Sequence, residues 1–390
     1  MKFITIKGGT MTSHLIIGNG AAGTTAAEQI RKQDPNAGIT MITKEPLPLY
    51  SRIRIPDFLG GKIQEQTLII KDLPWHEQRG INLITETIVS HVDYKNKTAV
   101  AEDGTLFPYD TLLLATGSNS FIPPIKGSDK KGVFTLRTAA DARALAAMDA
   151  EDKEVVLIGG GLLGLEAASA LVSTGKRVTV VEFFDRLLPR QLDNEGAGRL
   201  QSLLEAMGFT FRLGEVTQEI SGKDRVDGVC LKSGETLKAN AVLFSAGVRS
   251  ELSLVADSGM ETDRGIVVNE QMETSLTGVY AAGDVAQFDD INFCIWPEAV
   301  EQGRVAGINM AGGKATFKNT PPSNVLKVAG ISLASAGEID VEGKMNSDIV
   351  ASDTVYQKIV KDADGNIIGC IMLGDTTQFN SILKQIKGEQ

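Results

Sequence analysis

Two copies of one glycine fingerprint, each set between a short apolar strand and a helix, constrain this chain more than any other feature. Residues 14–18 (HLIIG) read as a short buried strand. Residues 21–33 read as a helix rich in Ala, Glu, Gln and Arg, stopped by Asp34-Pro35-Asn36, and residues 38–43 (GITMIT) as a second strand. Between the first strand and the helix stands Gly18-Asn19-Gly20-Ala21-Ala22-Gly23, a GxGxxG run. Gly18 permits the tight turn, Gly20 lets backbone approach a pyrophosphate, and Gly23 lets the helix pack on the strand. Free N–H groups at the helix start, with the positive end of its dipole, suit phosphates. Glu45 follows Gly23 by 22 residues, where a carboxylate binds ribose hydroxyls.

The pattern repeats. Residues 154–158 read as a strand, residues 162–174 as a helix ended by Gly175, and residues 177–182 as a strand ending at Glu182. The second fingerprint is Gly159-Gly160-Gly161-Leu162-Leu163-Gly164. A duplicated strand–helix–strand unit with parallel strands implies two doubly wound domains rather than one long sheet. Glu182 favours NAD over NADP, because a carboxylate there repels a 2′-phosphate. Arg186, four residues on, is the opposing signal. Two dinucleotides in one chain imply a relay between a tightly held redox cofactor and an exchanging hydride donor. Spacing alone does not say which copy takes which.

Composition narrows the rest. Glycine is high, 41 of 390, against about 7% in ordinary chains. With no G-X-Y period, the excess belongs to specific backbone sites. The net charge of −10 argues against a nucleic-acid surface and against a polybasic membrane patch. Cys230, Cys294 and Cys370 are scattered and form no CxxC, which excludes a dithiol pair, a zinc ribbon and a secreted disulfide scaffold. His14, His76 and His91 lack ligand spacing, so no metal site is expected. The most apolar long stretch, residues 155–172, carries three consecutive glycines and Glu166, a poor membrane span. The start shows no signal-peptide pattern, and Met11 is a second candidate start. The expected location is cytoplasmic.

Between and beyond the two units, further strands are expected at residues 82–83, 98–101, 110–115, 238–245 and 278–282, with Pro123-Pro124 marking a linker. After Thr320-Pro321-Pro322 the pattern changes. Strands at 355–360 and 367–373 are joined by a hairpin turn at Asp364-Gly365, and a helix covers 379–386. This tail reads as a small α+β domain.

Two further segments carry a resemblance. Leu113-Leu114-Ala115-Thr116-Gly117-Ser118 resembles the ATG segment of two-dinucleotide flavoprotein reductases, and residues 277–285 (TGVYAAGDV) resemble their second FAD motif. The order of motifs is similar to that of the glutathione-reductase-like fold, over roughly residues 13–310. The implied fold class is α/β, with two Rossmann-like dinucleotide-binding domains and a small C-terminal α+β domain. The implied boundaries are 1–118 and 246–319 for a discontinuous FAD-binding domain, 119–245 for an inserted NAD-binding domain, and 320–390 for the tail. The resemblance gives the first fingerprint (Gly18, Gly20, Ala21, Ala22, Gly23, with Glu45) to FAD. It gives the second (Gly159, Gly161, Leu162, Leu163, Gly164, with Glu182) to NADH. It implies that Asp284 bonds the FAD ribitol, that Thr116 and Gly117 approach FAD near its phosphates, and that Ile88 meets the adenine through backbone. Ala115, Gly283 and Gly247 complete the cofactor-binding set. Glu166 is placed near the nicotinamide.

The subfamily turns on what is missing. Disulfide reductases of this fold carry CxxxxC after the first acid, whereas residues 45–59 here read EPLPLYSRIRIPDFL. Electrons are therefore expected to leave the flavin directly. Cys294, close to Trp296, is the nearest candidate exception and reads as a small buried apolar residue. Residues 48–55 are similar to the LPYYRPRL segment of NADH:rubredoxin oxidoreductases and resemble the flavin part of assimilatory nitrite reductases. Arg52 and Arg54 are thereby placed beside the flavin, where a cation favours the reduced, anionic ring. On extended chain the two point opposite ways, so one at most faces the ring. Residues 326–331, 356–360 and 367–375 look like the C-terminal domain of those reductases. Leu162 departs from the aromatic gate of many relatives, and Trp296 is implied as a wall of the flavin site. The expected activity is hydride transfer from NADH to FAD, then single-electron transfer to a rubredoxin-like carrier protein, by a monomer or homodimer. The alternatives are a peroxide-forming NADH oxidase, a subunit feeding a siroheme protein, and a non-catalytic flavin redox sensor. For a docked carrier, the nearly neutral tail with Lys384 and Lys387 and the Arg-bearing flavin rim are the expected places, since the whole molecule is acidic.

Overall fold

The structure is a computed structural model that describes residues 12–319 and 323–389. The Met11 start and the Thr320-Pro321-Pro322 boundary lie outside the described residues. The chain divides into two compact units. The first is built from Met1–Ser51, Glu65–Asn119 and Val248–Asn319, the second from Arg52–Gln64, Ser120–Gly247 and Thr320–Gln390.

The first unit is organised by a five-stranded parallel sheet. Its order is Val279–Ala281, Thr111–Leu114, Ser13–Ile17, Gly38–Ile42, Ile81–Ile84. Ile16 sits opposite both Met41 and Leu113, and all three are fully buried. Continuous apolar runs such as LII and TLLL suit strands covered on both faces. The helix Ala21–Gln33 follows the first strand and ends where Asp34-Pro35 cannot continue it. It packs against the helix Trp296–Met310 at very short range, because Gly303 and Gly307 face the backbone of Ala22 and Ala26. A Cβ at Gly303 would overlap the Ala22 carbonyl. An antiparallel sheet of Val89–Asp93, Thr98–Ala101 and Leu106–Pro108 completes this unit's larger strands.

The second unit repeats the plan. Its parallel sheet runs Thr210–Leu213, Arg177–Glu182, Glu154–Ile158, Ala241–Phe244, Val133–Thr135. In both sheets the strand before the fingerprint is central. It is flanked on one side by the strand after the fingerprint helix and on the other by a strand from much later in the chain. The tail forms a five-stranded antiparallel sheet, ordered Ser323–Val328, Ile331–Gly337, Ile367–Leu373, Tyr356–Lys361, Asn346–Ala351. The helix Phe379–Ile386 buries Phe379 and Ile382 against Ala334, Ala336, Cys370 and Met372. The expected hairpin turn is present, with Asp362 Oδ1 accepting from the N–H groups of Asp364 and Asn366 and Gly365 at φ +85°.

One local expectation is corrected. Arg52–Arg54 is a 3-10 turn leading into the helix Ile55–Leu59, not extended chain. The reason is Pro56, which suits a first helical turn, with Asp57 pairing back to Arg54 at 3.8 Å. Gly60, at the end of that helix, lies against Ala170 and Ser173 of the helix Leu162–Ser173. No helix among the described residues is long and apolar enough to cross a membrane.

Candidate active site: two dinucleotide cradles

In the first unit, Gly18 holds φ +113° and donates its N–H to Ile42 O at 2.8 Å. A Cβ there would overlap the carbonyl oxygen of Ala115, so only glycine fits both the dihedral and the contact. Gly23 in turn sits on the Gly18 carbonyl. Gly20 caps the helix without a side-chain hydrogen bond, and a Cβ there would meet nothing within 4 Å. The backbone at Gly20 is thus open on its Cβ side, and the N–H groups of a helix's first turn, here beside buried Ala21 and Ala22, lack partners within the helix, which suits an approaching pyrophosphate. Asn19 Nδ2 donates to Leu47 O at 2.9 Å and ties the turn to the loop beyond the second strand. In that loop, Glu45 Oε2 accepts from the Tyr50 hydroxyl at 2.5 Å. Ile88 lies half exposed on a segment paired to the end of that strand through Thr87 N to Thr43 O, 2.9 Å.

The ATG and GD segments meet the same cradle. Thr116 Oγ1 donates to Glu251 O at 3.1 Å, and Gly117 O accepts from Glu251 N at 3.0 Å. Ser118 Oγ donates to Asp284 Oδ2 at 2.8 Å. Gly283, at φ +82°, donates to buried Gln302 Oε1 at 2.8 Å and lies over Ala22. Ser118, Glu251 and Gln302 are supports that sequence reasoning missed. Trp296 opens its helix with Pro297 in the first turn and is partly buried against the core of this unit.

The second unit builds the same geometry again. Gly159 holds φ +110° beside the Ser245 carbonyl. Gly164 sits on the Gly159 carbonyl, and Gly161 caps its helix with open space beyond it. Leu162 is half-buried and Leu163 half exposed at the helix start. Glu182 is buried, with Oε2 accepting from Gly160 N at 2.5 Å and Oε1 from Phe184 N at 2.9 Å. Gly247 takes φ +91°, its carbonyl accepting from Phe121 N at 2.9 Å. Arg186, the opposing signal for nucleotide choice, reaches Asp185 at 3.3 Å and Pro189 O at 3.4 Å within its own loop. Phe183 and Phe184 are exposed, with rings edge to face at 5.4 Å next to the buried acid. Nothing in the sequence pattern had singled them out.

Two expected site residues stand on the second unit outside its fingerprint. Arg52 Nη1 donates to Arg137 O at 2.8 Å. Glu166 Oε1 accepts from Ala329 N at 3.2 Å. Burial pushes the Glu166 carboxyl above its ordinary range; the Ala329 N–H opposes the rise and the nearby Asp57 adds to it. Cys294 is corrected: it is exposed, at φ +51°, rather than a small buried residue. Cys370 is the buried thiol, and burial pushes it up to about 11, which suppresses thiolate. Among the described residues no group of three or more His, Cys, Asp or Glu side chains is placed to hold a metal ion.

Comparison with known proteins places both cradles in one family match and the tail in another. Residues 12–303 match the family model described as pyridine nucleotide-disulphide oxidoreductase, and residues 322–390 match that of the rubredoxin NAD+ reductase C-terminal domain. The chain is 37% identical over 380 residues to the nitrite reductase [NAD(P)H] of Bacillus subtilis, covering 96% of this chain and 47% of that protein. It therefore spans about half the length of that curated relative. It is 35% identical over 390 residues to an NADH oxidase of Methanocaldococcus jannaschii, covering 92% of this chain and 87% of that one. The crystal structure of NADH:rubredoxin oxidoreductase from Clostridium acetobutylicum is similar at a TM-score of 0.83 and 28% identity, covering 98% and 96% of the two chains.

Proposed function

Because the chain belongs to the pyridine nucleotide-disulphide oxidoreductase family, we propose that it is an FAD-dependent NADH oxidoreductase. It passes a hydride from NADH to FAD and single electrons onward to a small carrier protein of the rubredoxin kind, in the cytoplasm. The observation that carries this reading is the doubled cradle. Two glycine turns, at Gly18 and Gly159, have the same dihedral sign and the same carbonyl contact, and each opens a helix onto free space.

When bound, the flavin supplies the conversion of a hydride into single electrons, which is the cofactor's own chemistry. This chain's residues bind and orient. Gly18, Gly20 and Gly23 receive the FAD pyrophosphate, and Glu45, steadied by Tyr50, accepts from ribose hydroxyls. Asp284, steadied by Ser118, accepts from the ribitol. Ala115, Thr116, Gly117, Gly283 and the backbone of Ile88 line the rest of that path. Gly159, Gly161, Leu162, Leu163 and Gly164 receive NADH, with Gly247 beside them. Glu182, fixed by two backbone N–H groups, accepts from ribose hydroxyls and disfavours a 2′-phosphate. Arg52 is assigned to the flavin edge, Glu166 to the nicotinamide side and Trp296 to a wall of the flavin site. The proposed domains are 1–118 with 246–319 for FAD, 119–245 for NAD and 320–390 for the tail. No cysteine lies between Glu45 and Leu59, so that segment would offer a bound flavin no thiol relay to the acceptor.

A second reading, an NADH oxidase that delivers electrons to oxygen, draws on the Methanocaldococcus relative of that name. Anaerobic mixing of the purified protein with NADH or NADPH, followed by rubredoxin or by air, separates the two. Fast bleaching by NADH and fast re-oxidation by rubredoxin are expected. Re-oxidation by air alone selects the oxidase, and a flavin-free protein ends both readings.

A further inference from the structure

The tail sheet meets the NAD-type domain of the same unit through charges that are almost wholly out of water. Lys358 is 4% exposed. Its Nζ donates to Asp193 Oδ2 at 3.2 Å and to Asp340 O at 2.7 Å, and lies 3.2 Å from Asp340 Oδ2. The Tyr356 hydroxyl donates to the same Asp193 Oδ2 at 2.7 Å. Asp193 is also the N-cap of the helix Asn194–Ala206, where Oδ1 accepts from Gly196 N at 2.9 Å. One carboxylate thus terminates a helix with one oxygen and receives two side chains of the strand Tyr356–Lys361 with the other. Buried charges are costly unless fully paired, so a hydrophobic joint would have held the tail more simply.

Asp193 ends the loop that begins at Glu182, the acid of the second cradle. Phe183 and Phe184 near its start are exposed, but its second half is packed inward. Leu187 lies 2.9 Å from the Cβ position of Gly160 in the fingerprint, and Leu187, Leu188 and Leu192 are fully buried. Leu188 is held at φ +49°, with its carbonyl accepting from Gln191 N and Leu192 N at 2.9 Å each. A leucine in this region is strained and persists only where its surroundings over-determine it. Here the loop is pinned at both ends, to Gly160 by Glu182 and to the tail by Asp193. The other wall of the cradle, the helix Leu162–Ser173, is also tied to the tail, by Glu166 to Ala329 N.

We propose that Lys358 is a positioning residue for the nicotinamide nucleotide: through Asp193 it fixes the Glu182–Asp193 loop, so that the tail domain sets the shape of the second cradle. This rests on the reading above that the second cradle takes NADH. The tail thereby takes a part in nucleotide affinity.

Steady-state kinetics with NADH and titration of the oxidised holoenzyme with NAD test it on wild type, Asp193→Asn and Lys358→Met. Asparagine retains the helix cap while weakening the ion pair. The expected result is KM for NADH and Kd for NAD raised about tenfold in K358M and about threefold in D193N, with kcat within about twofold and flavin content unchanged, the pattern of lost ground-state binding. The double variant is expected to match K358M, because the two act as one unit. A lower melting temperature with unchanged KM and Kd in D193N would reduce the cluster to a fold strut and overturn the proposal. D193N decides alone if K358M does not fold. Wild-type protein that binds neither nucleotide would instead remove the functional reading, and this proposal with it.

Discussion

Glu182 and Gly18 show what single residues decide here. Glu182 is buried and gripped by two backbone N–H groups, so its charge cannot swing away from an incoming ribose. Glu182→Gln keeps the size and removes the charge. The preference for NADH over NADPH, measured as a ratio of kcat/KM, is expected to fall about tenfold; an unchanged ratio would locate selectivity elsewhere. Gly18→Ala sets a Cβ against the Ala115 carbonyl at a dihedral that L side chains rarely adopt. A loss of about 3 kcal/mol or more of stability is expected, read by urea unfolding, together with loss of bound flavin. Both residues were legible, because GxGxxG and the spacing to the acid are local patterns. Ser118 as the partner of Asp284 was not. The two are 166 positions apart, and no local pattern announces a contact between segments brought together by a sheet. Phe183 and Phe184 escaped for another reason. Two aromatics after a strand read equally well as core, and only the structure shows them exposed.

At the scale of elements, the fingerprint helices and the central strands were legible because apolar runs bounded by glycine and proline leave little choice. The segment Arg52–Leu59 was not, since RIRIPDFL alternates like a strand while Pro56 sits where a helix begins. The close pairing of the helices Ala21–Gln33 and Trp296–Met310 was also missed, although Gly303 and Gly307 are spaced for one helix face. Gly303→Leu is expected to destabilise the protein by about 3 kcal/mol, as overpacking against backbone does, and to lower the urea midpoint. A midpoint equal to wild type would refute the close approach. The central strand Ser13–Ile17 adds a pH signature. His14 is buried, its Nδ1 2.7 Å from Thr111 Oγ1, and burial holds its pKa below the ordinary 6.5. His76 is lowered for the same reason. Since the folded state binds these protons less readily than the unfolded chain, their contribution is intact above about pH 6.5 and is lost as pH falls below it. The urea midpoint should drop between about pH 7.5 and about pH 5.5, and His14→Gln should shrink that drop. An equal drop in the variant would assign the acid sensitivity to other groups.

The whole molecule is an acidic chain of net charge −10 in which one architectural idea is used twice. The duplication was legible in sequence, as was the separate character of the tail. What the sequence could not disclose is how the tail is joined. Lys358 and Asp193 lie 165 residues apart, and a lysine in an alternating strand reads as solvated until it is found buried. The central claim is that NADH reduces a bound flavin in this chain with no thiol between them, and its most direct test is anaerobic single-turnover mixing with NADH. Wild type and Cys294→Ser, which removes the one exposed thiol, are expected to bleach at the same rate and to pass electrons equally to rubredoxin. Bleaching or transfer that disappears in the C294S protein, or a purified protein that takes up no flavin, would contradict the account.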